Sequence, residues 1–266
     1  MMKCVLIIAG SDSGAGAGIQ ADLKTVASRG LYGTTAITAI TAQNTTGVEK
    51  VQLLKGEMVA AQLDAVIEDF PVDAVKTGML GNEEIVQVVA ERIKRCRLPK
   101  VVVDPVMVAK SGDSLLEERA RQAILEELFP AALLITPNLP EAEMLCGGSI
   151  KTTSDMKEAA RSLREQGPAF ILLKGGHLLE GENLVDVLYD GRKFYYYRAP
   201  RVETRNNHGT GCTYASAIAC GLARGKPVPL AVRDARIYLQ RILPFGPGLG
   251  KGSGPMNHFN GIMLME

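Results

Sequence analysis

The chain has 266 residues, 46% of them hydrophobic, and a formal net charge of +1 at pH 7. That length supports one large core, alone or with a small appendage, and the even charge balance with no basic run argues against a nucleic-acid or anionic-membrane surface as the main partner. The five cysteines are scattered without a CxxC pair, which fits a reduced, cytoplasmic setting better than a disulfide framework or a zinc site, and no apolar run reaches membrane-spanning length.

Residues 3–9 (KCVLIIA) form a β-rich apolar run that predicts a buried parallel strand ending at Gly10. Directly after Lys3 this run stands where a signal peptide would carry a long apolar region and a cleavage site. Ser11 to Gly18 is glycine-rich, and the spacing of Ile19, Leu23 and Val26 predicts a helix that stops at Gly30. The dinucleotide fingerprint fails here because Ile19 occupies the third glycine position. Neither Gly225-Lys226 nor Gly250-Lys251 has the preceding glycine or the following Ser or Thr of a P-loop. A nucleotide must be held some other way.

A β-branched strand is predicted over 34–41, closed by Ala42-Gln43-Asn44, then a helix over 57–70 and a strand over 72–76 ending at Thr77-Gly78-Met79. After a helix over 83–95, the valines at 101–103 run into Asp104-Pro105. A buried strand there delivers a carboxylate at its C-terminal end, the edge where open α/β sheets bind ligands. The same placement recurs at 133–135, followed by Thr136-Pro137-Asn138 and Glu141 at a helix start. It recurs again at 170–173, followed by Lys174-Gly175-Gly176-His177.

Strand-like runs over 184–190 and 193–198 are joined at Asp190-Gly191, a hairpin signal. Phe194 to Tyr197 is read as half-buried hairpin in preference to a base-stacking platform, since little positive charge flanks it. A last helix is predicted over 229–243, and the Gly- and Pro-rich tail ends in Pro255-Met256-Asn257-His258-Phe259. The alternation implies one α/β domain, a mostly parallel sheet with helices on both faces.

Asn206 to Cys212 (NNHGTGC) leads into the small-residue helix that begins at Thr213. A tight glycine turn before a helix points free N–H groups at an anion. Cys212 at the helix start feels the positive end of the macrodipole, which favours thiolate and makes it a candidate base. Taken alone, the stretch is equally a plain turn with a buried cysteine. Elsewhere at strand ends stand Asp12, Asp22, Gln43, Lys76, Asp104, Asn138, Glu141 and Lys174. Asp104, Glu141 and Asn138 suit Mg²⁺, which takes few protein ligands and bridges to phosphates, and Lys174 suits a phosphate oxygen. Singly each is a cap or an ion-pair partner; at one sheet edge, with an anion hole, they describe phosphoryl transfer. No G-x-S-x-G elbow surrounds Ser11, Ser13, Ser111 or Ser149, and His177, His208 and His258 fit no zinc spacing. His208 is read as a structural or phosphate-side residue in preference to a base.

Gly10-Ser11-Asp12-Ser13-Gly14 with Ala17 to Asp22, Thr41 to Asn44, Asp104 to Met107, Thr136 to Glu143, Lys174 to His177, His208 to Thr213 and Gly254 to Phe259 together resemble the hydroxymethylpyrimidine/phosphomethylpyrimidine kinases of thiamine biosynthesis, in the ribokinase-like superfamily. The resemblance covers nearly the whole chain in order. It implies a three-layer ribokinase-like α/β fold with a small β-hairpin at the sheet edge, a single kinase domain over 1–266, and an ATP- and Mg²⁺-dependent cytoplasmic enzyme that is a homodimer. The implied reactions are phosphorylation of 4-amino-5-hydroxymethyl-2-methylpyrimidine and then of its monophosphate. By position, Gln43 binds the aminopyrimidine, with Asp22, Gly10, Met79 and Val106 lining its pocket. Asp104 and Glu141 hold metal, and Lys174, Asn138 and His208 lie on the nucleotide side. Gly209, Thr210 and Gly211 form the anion hole, with Cys212 as the catalytic residue. Ala15 stands where the family commonly has glycine, and alanine resists the positive φ that closure of the 11–18 loop would use. Pyridoxal kinase is the alternative within the fold, and a non-catalytic pyrimidine-binding regulator the alternative outside enzymes.

Overall fold

The strand β1 (Cys4–Asp12) is buried along almost its whole length. Successive side chains on a strand face opposite sides of the sheet, so Val5, Ile7 and Ala9 enter one core while Leu6 and Ile8 enter another. The structure, a computed structural model, describes residues 1–107, 117–176, 178–180 and 183–261; Ser111 and His177 lie outside the described residues.

The elements following β1 are α1 (Gly18–Ser28), β2 (Tyr32–Asn44), β3 (Gly47–Leu53), α2 (Gly56–Asp69), β4 (Val72–Thr77), α3 (Glu83–Arg95), β5 (Val101–Val103) and α4 (Glu118–Ala123). Then come β6 (Leu134–Ile135), α5 (Leu139–Cys146), α6 (Thr153–Glu165), β7 (Phe170–Leu173), β8 (Leu179–Glu180), β9 (Asn183–Tyr189), β10 (Phe194–Pro200), α7 (Thr210–Ala223) and α8 (Val228–Ile242). They build one sheet in the order β10-β9-β7-β6-β5-β4-β1-β2-β3, with β8 on β9. Strands β1, β2, β4, β5, β6 and β7 run parallel. The edges are antiparallel, β3 on one side and the β9–β10 hairpin on the other. Helices α2, α3 and α6 bury Leu63, Ile85 and Met156 in the core on one face. Helices α1, α7 and α8 bury Val26, Ile218 and Leu239 in the core on the other. Each such aliphatic side chain removed from water contributes roughly 1.5–3 kcal/mol. The result is the expected three-layer α/β fold.

Four elements are absent from the pattern-based expectation, among them the two-residue strand β8. Strand β3 is mostly exposed and carries Glu49 and Lys50, so its alternation is polar on both sides. Helix α4 is short. Helix α6 starts on a complete capping box, Thr152 with Asp155, a signal visible in the sequence. Because the parallel strands all point one way, the residues after β1, β4, β5, β6 and β7 share one sheet edge, and the Gly209 turn before α7 lies on it too.

Candidate active site

Asp12 ends β1 and organises the loop that follows. Its Oδ1 accepts the Gly14 N–H at 2.8 Å, and its Oδ2 accepts those of Gly16 at 3.1 Å and Ala17 at 2.8 Å. Burial opposes its charge, but His208 and the Ala17 and Gly14 N–H groups outweigh it and hold the carboxyl below the usual range. The loop is pinned to β2 through Ser13 Oγ, which donates to the Gln43 carbonyl at 2.7 Å and accepts from the Gln43 N–H at 2.8 Å. Within it Ala15 does adopt the left-handed region, with φ 58°. That conformation costs a non-glycine residue roughly 1–2 kcal/mol, so Ala15→Gly is expected to stabilise the protein by about 1 kcal/mol in urea unfolding. An unchanged midpoint would show that the loop carries no strain there.

The predicted acceptor-side residues cluster unevenly. Gly10 is buried, and a Cβ there would stand 3.3 Å from Met79 Sδ, so its lack of a side chain leaves room for Met79. Met79 and Val106 are partly exposed, and Val106 N–H donates to the Asp104 carbonyl at 2.9 Å. Gln43 Oε1 accepts from Thr41 Oγ1 at 3.1 Å. Asp22 departs from expectation. It has no solvent exposure, its Oδ2 accepts from Lys76 Nζ at 2.7 Å and its Oδ1 accepts from Ser216 Oγ at 2.7 Å. Both oxygens are taken, so Asp22 is the counter-ion of the equally buried Lys76 and does not present itself to open space. The same charge keeps Lys76 protonated: burial works against its ammonium, but Asp22, the Cys212 sulfur and Asp104 raise it above the usual lysine value.

On the other side, Asp104 follows β5 and is 2% exposed. Its Oδ1 accepts from Lys174 Nζ at 2.8 Å and from Thr136 Oγ1 at 2.9 Å. Burial disfavours its charge, yet Lys174, Lys76 and Thr136 hold it below the ordinary carboxylate range. Asn138 and Glu141 form a reciprocal capping box on α5: Asn138 Oδ1 accepts the Glu141 N–H at 2.8 Å, and Glu141 Oε2 accepts the Asn138 N–H at 2.8 Å. Their first role is therefore the bland one. Glu141 is also pushed up to about 7, chiefly by burial, with the Asp104 carboxylate adding to it and Lys174 opposing. Asn138 and Lys174 meet in an isolated parallel bridge, which sets their side chains at neighbouring strand ends.

The Gly209 turn joins the two sides. Helix α7 begins without a side-chain cap, on Gly209 with φ 79°. Among the described residues the N–H groups of Gly211 and Cys212 meet no acceptor, as an anion hole requires. A Cβ on Gly211 would stand 3.3 Å from Lys174 Nζ and 3.5 Å from Asp104 Oδ2, so anion hole, cation and carboxylate converge. Thr210 Oγ1 donates to the Asn207 carbonyl at 2.7 Å and thus closes the turn, leaving no free hydroxyl. His208 reaches across to the β1 loop: its Nε2 lies 2.9 Å from Asp12 Oδ2 and 3.2 Å from Gln43 Nε2. The ring thus spans from the Gly209 turn to the β1 loop. The tail closes behind the turn, with His208 N–H donating to the Gly254 carbonyl at 3.1 Å and His258 Nε2 3.0 Å from Thr213 Oγ1.

Cys212 does not have the depressed thiol expected of a helix start. Burial pushes it up to about 11; Lys76 and the Gly18 N–H pull down, and Asp22 and Asp104 push up. Desolvation outweighs the macrodipole here. The sequence-based site omitted Asp12, Lys76, Thr136 and Ser216 as working residues; the first three were visible as strand-end polar residues, whereas Ser216 gave no signal.

A family model described as phosphomethylpyrimidine kinase matches residues 12–257 of this chain. The chain belongs to the phosphomethylpyrimidine kinase family. It is 48% identical over 263 residues to the hydroxymethylpyrimidine/phosphomethylpyrimidine kinase of Rhizobium meliloti, covering 98% of each. It is 51% identical over 254 residues to a thiamine biosynthesis bifunctional protein of Geobacter sulfurreducens, covering 96% of this chain and 52% of that protein. The chain therefore spans about half the length of some curated relatives it matches. Among solved structures, the phosphomethylpyrimidine kinase of Clostridium difficile superposes with a TM-score of 0.80 at 44% identity, over 90% of this chain and 98% of that one. An ADP complex of Bacillus subtilis pyridoxal kinase superposes with a TM-score of 0.89 at 38% identity, over 97% and 98%. The family thus has the ribokinase-like fold, and among the described residues no helix is long and apolar enough to cross a membrane.

Proposed function

We propose that the chain is a single kinase domain over 1–266 that transfers the γ-phosphoryl group of ATP to 4-amino-5-hydroxymethyl-2-methylpyrimidine and then to the resulting monophosphate. The observation that carries this reading is the convergence at Gly211, whose Cβ position lies 3.3 Å from Lys174 Nζ and 3.5 Å from Asp104 Oδ2. Donors fixed in place before reaction are what a transferring phosphoryl group needs, since its charge spreads over three oxygens. In this reading the Gly211 and Cys212 N–H groups take the developing charge and Lys174 neutralises the phosphate side. Gln43 faces the acceptor ring, and Gly10, Met79 and Val106 bound its pocket.

The carboxylates fit Mg²⁺. Asp104 Oδ2 and Glu141 Oε1 have no hydrogen-bond donor among the described residues, while their other oxygens are anchored. Mg²⁺ keeps most of its waters and binds through one or two carboxylates and the nucleotide, which is what these two oxygens offer. When bound, the ion would neutralise charge on the β- and γ-phosphates. A cytoplasmic homodimer acting on small molecules, with neither nucleic acid nor membrane as partner, completes the proposal.

Pyridoxal is the second acceptor worth weighing, because the TM-score of 0.89 to a pyridoxal kinase exceeds the 0.80 to a phosphomethylpyrimidine kinase. Sequence identity runs the other way, 38% against 44%. ADP release measured with hydroxymethylpyrimidine, its monophosphate and pyridoxal separates the readings. Turnover of both pyrimidines is the expected result; turnover of pyridoxal alone selects the alternative, and ADP release with none of the three selects a binding protein. Gln43→Ala is expected to weaken pyrimidine binding by roughly 1–3 kcal/mol, since it leaves ring polar atoms unpaired. A KM unchanged by that substitution would place Gln43 outside the pocket.

A further inference from the structure

Asp186 on β9 takes no part in the chemistry proposed above, yet its carboxylate is 1% exposed and fully engaged. Its Oδ1 accepts the Gly175 N–H at 3.0 Å, and its Oδ2 accepts from the Tyr214 hydroxyl at 3.1 Å, with Arg236 Nη1 of α8 3.5 Å away. Gly175 directly follows Lys174, and Tyr214 stands two residues beyond Cys212 on α7. A buried charge persists only where its partners offset the cost of desolvation. Two of these partners belong to the segments that carry the phosphate-side cation and the anion hole.

The end of the sheet explains why a side chain is needed there. Strand β7 pairs with β9 through Ile171 with Tyr189, Leu172 with Leu188 and Leu173 with Val187, and the ladder stops one step short of Lys174 and Asp186. From that step the chain leaves β9 to deliver Lys174, whose own N–H donates to the Pro137 carbonyl at 2.9 Å. The Asp186 carboxylate takes up the next N–H, that of Gly175. The seat is close, since a Cβ on Gly175 would lie 1.9 Å from the Val185 carbonyl oxygen. On α7, Gly211 and Tyr214 are three residues apart and so share a face of the helix. The Cβ position of Gly211 is 3.3 Å from Lys174 Nζ, and Tyr214, one turn further on, reaches Asp186. Lys174 against Gly211, and Gly175 through Asp186 to Tyr214, are thus two rungs between the same two segments.

We propose that Asp186 is a positioning residue that sets the spacing between the Lys174 ammonium and the Gly211 anion hole, and that it acts on phosphoryl transfer through Lys174. Both of its oxygens are held inside the protein, so it touches no reacting atom. The consequence for catalysis rests on the reading of Lys174 as the phosphate-side cation. Removing either arm of the carboxylate releases the segment after Lys174 from α7, and a group misplaced by about 1 Å costs up to about 10²-fold in rate.

A double-mutant cycle with Lys174 separates positioning from mere support of the fold. In single-turnover phosphorylation of hydroxymethylpyrimidine, Asp186→Asn is expected to lower the rate about tenfold or more where Lys174 is present, and by less than about twofold in the Lys174→Ala background. Half-saturation by the pyrimidine should stay within about twofold throughout. Equal losses in the two backgrounds overturn the proposal, as does an Asp186→Asn rate within about twofold of wild type. Asp186→Asn also leaves the Arg236 guanidinium without its anion, so Tyr214→Phe, which deletes one hydroxyl, carries the cycle if the asparagine variant does not fold. Its expected loss is about threefold to tenfold, again confined to the background that keeps Lys174. The same cycle is read without turnover as the affinity for the non-hydrolysable ATP analogue AMP-PNP by calorimetry. The expected weakening is about threefold to tenfold with Lys174 present and less than about twofold without it, and equal weakening overturns the proposal. Wild-type protein that binds the analogue but phosphorylates no pyrimidine defeats the functional reading alone, and calorimetry then decides the role of Asp186. Wild-type protein that binds no analogue overturns both.

Discussion

Cys212→Ser is expected to slow phosphorylation of the hydroxymethyl alcohol by about 10²-fold while slowing phosphorylation of the monophosphate far less. An alcohol must lose a proton as it attacks; a phosphate oxygen is already anionic. Burial leaves the Cys212 thiol at about 11 despite Lys76 beside it, so at neutral pH the protein holds only a small fraction of thiolate. Thiolate increases as pH rises toward that value, so the rate of the first reaction should climb about tenfold per pH unit between roughly pH 7 and 9, and the second should stay nearly flat. Single-turnover rates for both acceptors across that range provide the check. A serine variant that slows both steps equally, or a flat first-step profile in wild type, would reduce Cys212 to a positioning role.

Gly209→Ala carries the other large effect. Gly209 has φ 79°, and a Cβ there would lie 1.9 Å from the Gly16 carbonyl oxygen, a backbone atom that cannot step aside. The turn must lift from the β1 loop, and the N–H groups of Gly211 and Cys212 move with it. Losing such donors costs about 10²–10³-fold in kcat. Gly225 makes the control: its φ is 81°, yet nothing stands within 4 Å of its Cβ position. Gly225→Ala should lower stability by only the left-handed cost, about 1–2 kcal/mol, and leave kcat within about twofold. Similar kcat values for the two variants would mean that the turn's contact with Gly16 is incidental to catalysis.

The contrast between residues read from the sequence and those missed is physical. Val101 to Val103 could be read because a parallel strand buried on both faces has no reason to alternate, and the carboxylate after it then falls at the ligand-binding edge. Asp104, Lys174 and the Gly209 turn were legible for that reason. Strand β3 escaped because an exposed edge strand bearing Glu49 and Lys50 lacks both signatures of a strand, the apolar run and the one-sided alternation. Asp22 was assigned to the pocket wall because its pairing with Lys76, 54 residues away, is decided by how β4 packs beside α1, which no local pattern encodes. The contact of His208 with Asp12 escaped for a similar reason, since the two are 196 residues apart. For Cys212 the helix start was legible and the electrostatics were not. A helix start lowers a thiol only where desolvation does not outweigh it, and at Cys212 desolvation does.

Two successive phosphoryl transfers at one site leave a direct trace in phosphorus-31 NMR of the protein with ATP, Mg²⁺ and hydroxymethylpyrimidine. The expected result is a monophosphate resonance that rises and then gives way to a diphosphate as ADP accumulates. Accumulation of ADP with no pyrimidine phosphate, or no ADP at all, would contradict it.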